Sequence, residues 1–193
     1  SVTLALKLRV MAVRRFASRL VRRRAVLSTQ AQEQAVSQES KLVHPRELQF
    51  LLKEFVDLDA VLSLPKFSHL DVETAHELIR AGHALAEDVF APATPVGARN
   101  KPVLHATGDV THPEAVVAAQ RAYAANGYLS MTLGEEWGGL GLPLCLSGLV
   151  GIPFSCANTA LMSYHGLTAG VLKLLLAHGT EAQQQEWIPR LGS

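Results

Sequence analysis

The chain has 193 residues, 48% of them hydrophobic and 6% aromatic, which suits one domain with a tail. Ala and Leu outnumber β-branched runs, so helices are favoured over sheet. The formal net charge of +1 conceals a polarity: residues 1–30 hold Lys7, Arg9, Arg14, Arg15, Arg19, Arg22, Arg23 and Arg24 and no acid, leaving ten of the 18 basic residues against all 17 acidic ones, a net of −7.

Two readings compete for that basic leader. An arm for nucleic acid or an anionic membrane would use its charges on phosphates. A mitochondrial transit peptide would use them on an amphipathic helix rich in Arg and poor in acids. The run from Met11, MAVRRFASRLVRRRAVLSTQ, suits the second, because Val13, Phe16, Leu20 and Leu27 can share one side of a helix. Residues 1–30 are therefore expected to target the mitochondrial matrix, with Met11 or an upstream residue as the true start and no nucleic-acid partner. Residues 31–44 are polar and Gln-rich and read as a disordered linker.

From residue 45 onward, helical periodicity takes over. A first helix fits Arg46 to about Leu62, with Leu48, Leu51, Leu52, Phe55 and Val56 at i, i+3, i+4, i+7 spacing. Pro65 closes it. A second fits Asp71 to Phe90, entered through Ser68 and Asp71 and apolar at Val72, Leu78, Ile79, Leu85 and Val89. Pro92 and Pro95 end it, and residues 91–112 read as a loop. A third helix starts at a Thr111/Glu114 capping box and stops at Gly127. The glycines of residues 127–143 forbid a stable helix. A fourth helix fits Leu144 to about Cys156, weakened by glycines and Pro153. A fifth fits Asn158 to Ala177, from an Asn158 cap to a Gly179 stop. A Thr180/Gln183 box then opens a sixth, reaching Ile188. Six helices without convincing strands predict an all-α bundle. No stretch reaches the roughly 20 apolar residues of a bilayer span, so no transmembrane segment is expected.

Several clusters have bland readings that outweigh functional ones. Gly138, Gly139 and Gly141 lack the Lys-Ser/Thr of a phosphate loop, so a tight interhelical turn is expected. Glu135 and Glu136 are sequence neighbours that do not face each other, so solvated loop acids are expected. His69, His76 and His83 lie about 10.5 Å apart successively on a helix, too far to share a metal ion, and no metal site is expected. Cys145 and Cys156, some 16 Å apart on one helix, cannot form a disulfide and read as small core residues. His178 suits a helix C-terminus. Met162, Tyr164, His165 and Gly166 interrupt an aliphatic helix; core packing is one reading, and a pocket wall of small, soft residues is the other.

The segments EEWGGLGLP (135–143) and SCANTALMSYHGLTAGVLKLLLAHGTEAQQQEWIPRL (155–191) resemble the N-terminal helical domain of acyl-CoA dehydrogenases. ELQFLLKEFVDLDAVLSLPKF (47–67) resembles the extra N-terminal segment of a subgroup that includes long bacterial acyl-CoA dehydrogenases and 3-methylmercaptopropionyl-CoA dehydrogenases. The resemblance implies that residues 45–193 are the N-terminal helical domain of an incomplete enzyme. It implies FAD as cofactor, an acyl-CoA substrate, an electron acceptor such as electron-transfer flavoprotein, and a homo-oligomer at full length. In that family a glutamate removes the α-proton of an acyl thioester while a hydride leaves the β-carbon for flavin. The catalytic glutamate and the flavin-holding motif belong to later domains, so no catalytic residue is expected in this chain. Met162 and Gly166, one turn apart, are expected to face the acyl-chain cavity, with Gly166 making it deep and permissive. The rival readings are a non-enzymatic helical interaction module using the basic leader, and a regulatory partner of a complete dehydrogenase.

Overall fold

The computed structural model describes Ser40 and residues 42–192. The basic leader, and with it the targeting expectation, lies outside the described residues. The span read as a linker contributes to packing at its end: Leu42 and Val43 lie against the core, and Ser40 Oγ sits 2.6 Å from His83 Nε2.

The fold is all-α with one small hairpin. Helix α1 (Pro45–Phe50) runs into a π turn (Leu51–Phe55) and is succeeded by α2 (Leu58–Leu62). The expected single helix over 46–62 is thus broken. Asp57 adopts a left-handed backbone (φ 50°), and its carboxylate accepts the Ala60 N–H to cap α2. The π turn inserts an extra residue and shifts the helical register within it, while Val56, Leu58 and Leu62 beyond it still pack in or against the core. Leu48 and Leu52 are buried as the periodicity predicts, whereas Phe55 is 75% exposed.

Helix α3 (Val72–Leu85) is capped by Asp71 alone, whose Oδ1 accepts the Thr74 N–H at 2.6 Å; Ser68 takes no part. It does not end at the prolines. A π turn (Ala86–Phe90) carries it into α4 (Ala91–Arg99). That turn puts Pro92 in the first turn of α4, where a missing N–H costs least. The expected loop over 91–112 is therefore half helix, and the rest contains an antiparallel pair, β1 (Val103–Leu104) with β2 (Val110–Thr111). Thr111 belongs to that hairpin, so the expected capping box does not form. Helix α5 (Glu114–Ala125) begins after an extended Pro113 without a side-chain cap. Gly127, at φ 76°, ends it as predicted.

Helix α6 (Leu144–Ala157) continues through Pro153. Helix α7 (Thr159–His178) opens on Asn158, whose Oδ1 accepts the Leu161 N–H at 3.0 Å, and stops at Gly179. Helix α8 (Glu181–Leu191) has the expected box, with both Thr180 and Gln183 contacts formed, and extends past Ile188 through Pro189. Helix α7 is also long and apolar enough, by length and composition, to cross a membrane, the one such helix among the described residues. This tempers the expectation drawn from the sequence, although there is no clear membrane span.

The main core joins α1 to α7. Its centre is aromatic: Phe90, Tyr123, Tyr128 and Phe154, with ring centroids 4.8–5.8 Å apart in edge and tilted contacts. Gly82 lets α3 approach α6, since a Cβ there would lie 3.2 Å from Val150 Cγ1. Thr94 Oγ1 ties α4 to the end of α6 through the Ala157 carbonyl at 2.6 Å. A second, smaller cluster of Leu133, Leu172 and Ile188 pins α8 under α7.

Candidate functional site: an apolar cleft between two helices

Helices α6 and α7 diverge around an open cleft of about 470 Å³. That volume lies in the range of small-molecule sites. Helix α7 presents Met162, Gly166, Ala169 and Lys173, which recur at steps of four, three and four and so occupy one face. Helix α6 presents Leu144, Ser147, Gly148, Gly151, Ile152, Ser155 and Cys156, again at helical spacing. The loop after α5 adds Tyr128, Leu129, Met131 and Thr132.

The lining is largely apolar, with an imidazole set into it. His165 is 7% exposed and stacks on Tyr123, ring centroids 4.1 Å apart and planes 14° apart. Its Nε2 is buried and has no hydrogen-bond partner. Burial lowers the pKa of this imidazole, so the ring is held neutral. Burial also raises the Tyr123 phenol to about 12 and lifts Tyr128 further, with the neighbouring Tyr123 adding to the second shift. Neither tyrosine is a proton donor of catalytic strength near neutral pH. The site can bind and orient an apolar group; it contains no strong acid–base pair.

The sequence-derived candidates divide cleanly. Met162 and Gly166 both line the cleft, and so does His165. Tyr164 points elsewhere: it is 49% exposed and meets His112 edge-on at 6.2 Å. His178 ends α7. The histidines at 69, 76 and 83 do not form a stripe on one helix, because His69 precedes α3 and bonds the Leu140 carbonyl at 3.0 Å, while His83 pairs with Glu87 at 3.2 Å. Among the described residues, no group of three or more His, Cys, Asp or Glu is placed to hold a metal ion. Two expectations need correction. Cys156 is exposed at the cleft, outside the core, because the lining face of α6 is not covered. Glu135 is half-buried with Oε1 unpartnered, because the tight loop folds it inward, while Glu136 is solvated.

That loop is a turn and not an anion cradle. Its N–H groups are spent internally: Gly138 donates to Glu135, Gly139 to Gly134 and Gly141 to Leu133. Gly138 and Gly141 adopt positive φ, and a Cβ on Gly139 would collide with the Leu133 and Ser130 carbonyls. This loop therefore offers no phosphate-binding N–H cluster of the kind a dinucleotide cofactor such as FAD needs.

Spacing in the sequence holds one further signal. Gly148 and Gly151 lie three apart on α6 and share the cleft with Gly166 of α7. In the sequence alone they mark only a weakened helix; the structure makes them part of a pocket wall.

The described residues thus form a helical domain with an uncovered apolar cleft. Residues 98–193 match the family described as acyl-CoA dehydrogenase, N-terminal domain. The chain is also 31% identical over 143 residues to the broad-specificity linear acyl-CoA dehydrogenase FadE5 of Mycobacterium tuberculosis, an alignment covering 74% of this chain and 23% of that relative. The chain belongs to the acyl-CoA dehydrogenase family and carries its N-terminal helical domain. It spans about a quarter of the length of the curated relative it matches. That relative is a bacterial enzyme, which overturns the expected mitochondrial matrix location.

Proposed function

We propose that this chain is the N-terminal helical part of an acyl-CoA dehydrogenase that oxidises the α–β bond of an acyl-CoA thioester to the 2-enoyl-CoA. The cleft between α6 and α7 is the observation that carries the reading: an apolar slot of about 470 Å³ with Met162 and Gly166 on one wall. Its part is to bind and align the hydrocarbon chain. Burying each methylene contributes about 0.8 kcal/mol, so a slot of this kind supplies binding energy that holds the reacting carbons in place.

The relative's name describes linear acyl-CoA substrates of broad range, and the same substrate class is proposed for this chain. FAD is the hydride acceptor in this proposal, as in the family generally. None of the described residues is assigned to hold it, and none is assigned as the catalytic base. An acceptor such as electron-transfer flavoprotein and homo-oligomeric assembly complete the proposal.

The test uses the full-length protein that carries this chain, purified with FAD supplied. Linear acyl-CoAs of increasing length are offered with an artificial electron acceptor, and 2-enoyl-CoA is detected by mass spectrometry. Product across several lengths supports the reading. No product at any length, with the protein folded and flavin bound, overturns it.

A further inference from the structure

Helix α7 is fastened to the domain at few points. Of its 20 residues, Leu161, His165 and Leu172 are the buried ones. Leu172 belongs to the smaller cluster with Ile188 of α8. Among buried residues, the first half of the helix is therefore held to the main core by Leu161 and by the His165 ring. That ring stacks on Tyr123, centroids 4.1 Å apart, and lies 6.3 Å from Phe90. One of the two fastenings can take a proton.

The surroundings decide what that proton does. His165 Nε2 is buried and has no hydrogen-bond partner. An imidazolium there finds no acceptor at Nε2, and burying an unpaired charge is costly. The attraction of a cation for the Tyr123 face is too weak to replace the lost hydration. No carboxylate faces the ring. From α5 and the loop after it come the phenols of Tyr123 and Tyr128, which burial keeps neutral by raising their pKa values. The π turn brings Phe90, while Glu87 of that turn contacts His83 and Asp88 is exposed. Cys156 of α6 and Lys173 of α7 line the adjoining cleft and supply no negative charge near neutral pH. Burial is the cause that shifts His165, and the shift is downward.

We infer that His165 is a pH-sensitive latch: protonation drives its ring from the aromatic centre and frees the first half of α7 while the helices of the core stay folded. The latch does not depend on the acyl-CoA reading. The released state binds its proton with the ordinary histidine value of 6.5, and the latched state binds it only at lower pH. The latched form is thus fully favoured above 6.5 and loses ground as pH falls below it, by up to about tenfold per pH unit until the folded value is reached. Release also moves Met162 and Gly166, which lie on the same half of α7, so the cleft changes shape with pH.

The test is hydrogen–deuterium exchange by mass spectrometry on the full-length protein that carries this chain, at about pH 7.5 and about pH 5.5, with rates corrected for the intrinsic pH dependence of amide exchange. Peptides from residues 159–170 lose protection by about three- to tenfold at the lower pH, while peptides from α3 hold theirs. His165→Gln, polar but without a titrating proton, and His165→Phe, suited to the aromatic surroundings, both abolish the response. Circular dichroism shows that each variant is folded. His112 meets α7 from another side through Tyr164, and His112→Gln keeps the response. Equal loss of protection in α3 and α7 makes the acid sensitivity global and overturns the latch. No loss in the parent, a response that persists in both His165 variants, or one that disappears in His112→Gln overturns it as well.

Discussion

Replacing single glycines by alanine gives opposite signs at two positions on neighbouring helices, and the structure supplies both. At Gly148 in α6, an added Cβ finds no heavy atom within 4 Å. The change is then almost purely a gain in helix propensity, about 0.5–1 kcal/mol in favour of folding. At Gly82 in α3, the same methyl lies 3.2 Å from Val150 Cγ1, 3.3 Å from Phe154 Cε2 and 3.4 Å from the Val150 carbonyl. Phe154 is fully buried and Val150 is 1% exposed, so neither has room to retreat. Overpacking of a tight core costs about 1–3 kcal/mol, which offsets and exceeds the propensity gain. Gly82→Ala should therefore destabilise by up to about 2 kcal/mol. The two variants should differ by about 1–3 kcal/mol, or several degrees in melting temperature for a domain of this size. Urea unfolding monitored by circular dichroism, at a common m-value, reads the difference. If Gly82→Ala is as stabilising as Gly148→Ala, the close approach of α3 to α6 is wrong.

Phe154→Ala should lose about 3–5 kcal/mol, because it removes a fully buried ring from three edge contacts; a loss under about 1.5 kcal/mol in the same unfolding assay would refute the aromatic centre. Asp57→Ala should cost about 1–3 kcal/mol through a lost cap and a left-handed Cβ, while Asp57→Asn stays close to the parent in the same assay. His165 has a depressed folded pKa, so the unfolded chain binds more protons once pH falls below the ordinary histidine value of 6.5. Stability should decline from there until the folded pKa is passed and be level above, and His165→Phe should flatten that limb in a pH series of melting temperatures. The exposed Tyr164, Leu167, Val171 and Leu174 recur along one side of α7, so the chain by itself should self-associate in sedimentation; Leu167→Glu with Leu174→Glu should reduce that association.

The elements most legible in the sequence are those whose signals are local. The Asn158 cap, the Gly179 stop and the Thr180/Gln183 box all act within four residues of themselves, and all three form as the sequence predicts. Proline misleads. Pro92 and Pro95 look like terminators because in a regular α-helix they would be; a π turn from Ala86 to Phe90 re-registers the backbone and lets helix continue to Arg99. Period counting makes no allowance for such a turn, and the same defect displaces Phe55 from the face where its spacing puts it. The hairpin at 103–111 is illegible for a different reason. Its two strands are two residues each, too short for alternation to register. At the site, spacing alone brings Met162 and Gly166 to one face, but it cannot tell which glycines are packed and which are open. That depends on what lies across the gap, and a gap is a property of two helices at once.

Helix α7 shows why the cleft is hard to see in the sequence as a cleft. It is the longest helix described and among the most apolar, yet it buries only Leu161, His165 and Leu172. A polar imidazole is inside, stacked on Tyr123, while Leu167 and Leu174 are 72% and 60% exposed. Such an inversion is a poor arrangement for a helix whose purpose is to hold its own domain together, since burying those leucines would be worth about 1.5–3 kcal/mol each. In the proposed function the side carrying Met162 and Gly166 faces the acyl chain, which leaves the exposed leucines on another side of the helix. The apolar surface left over is then as informative as the core.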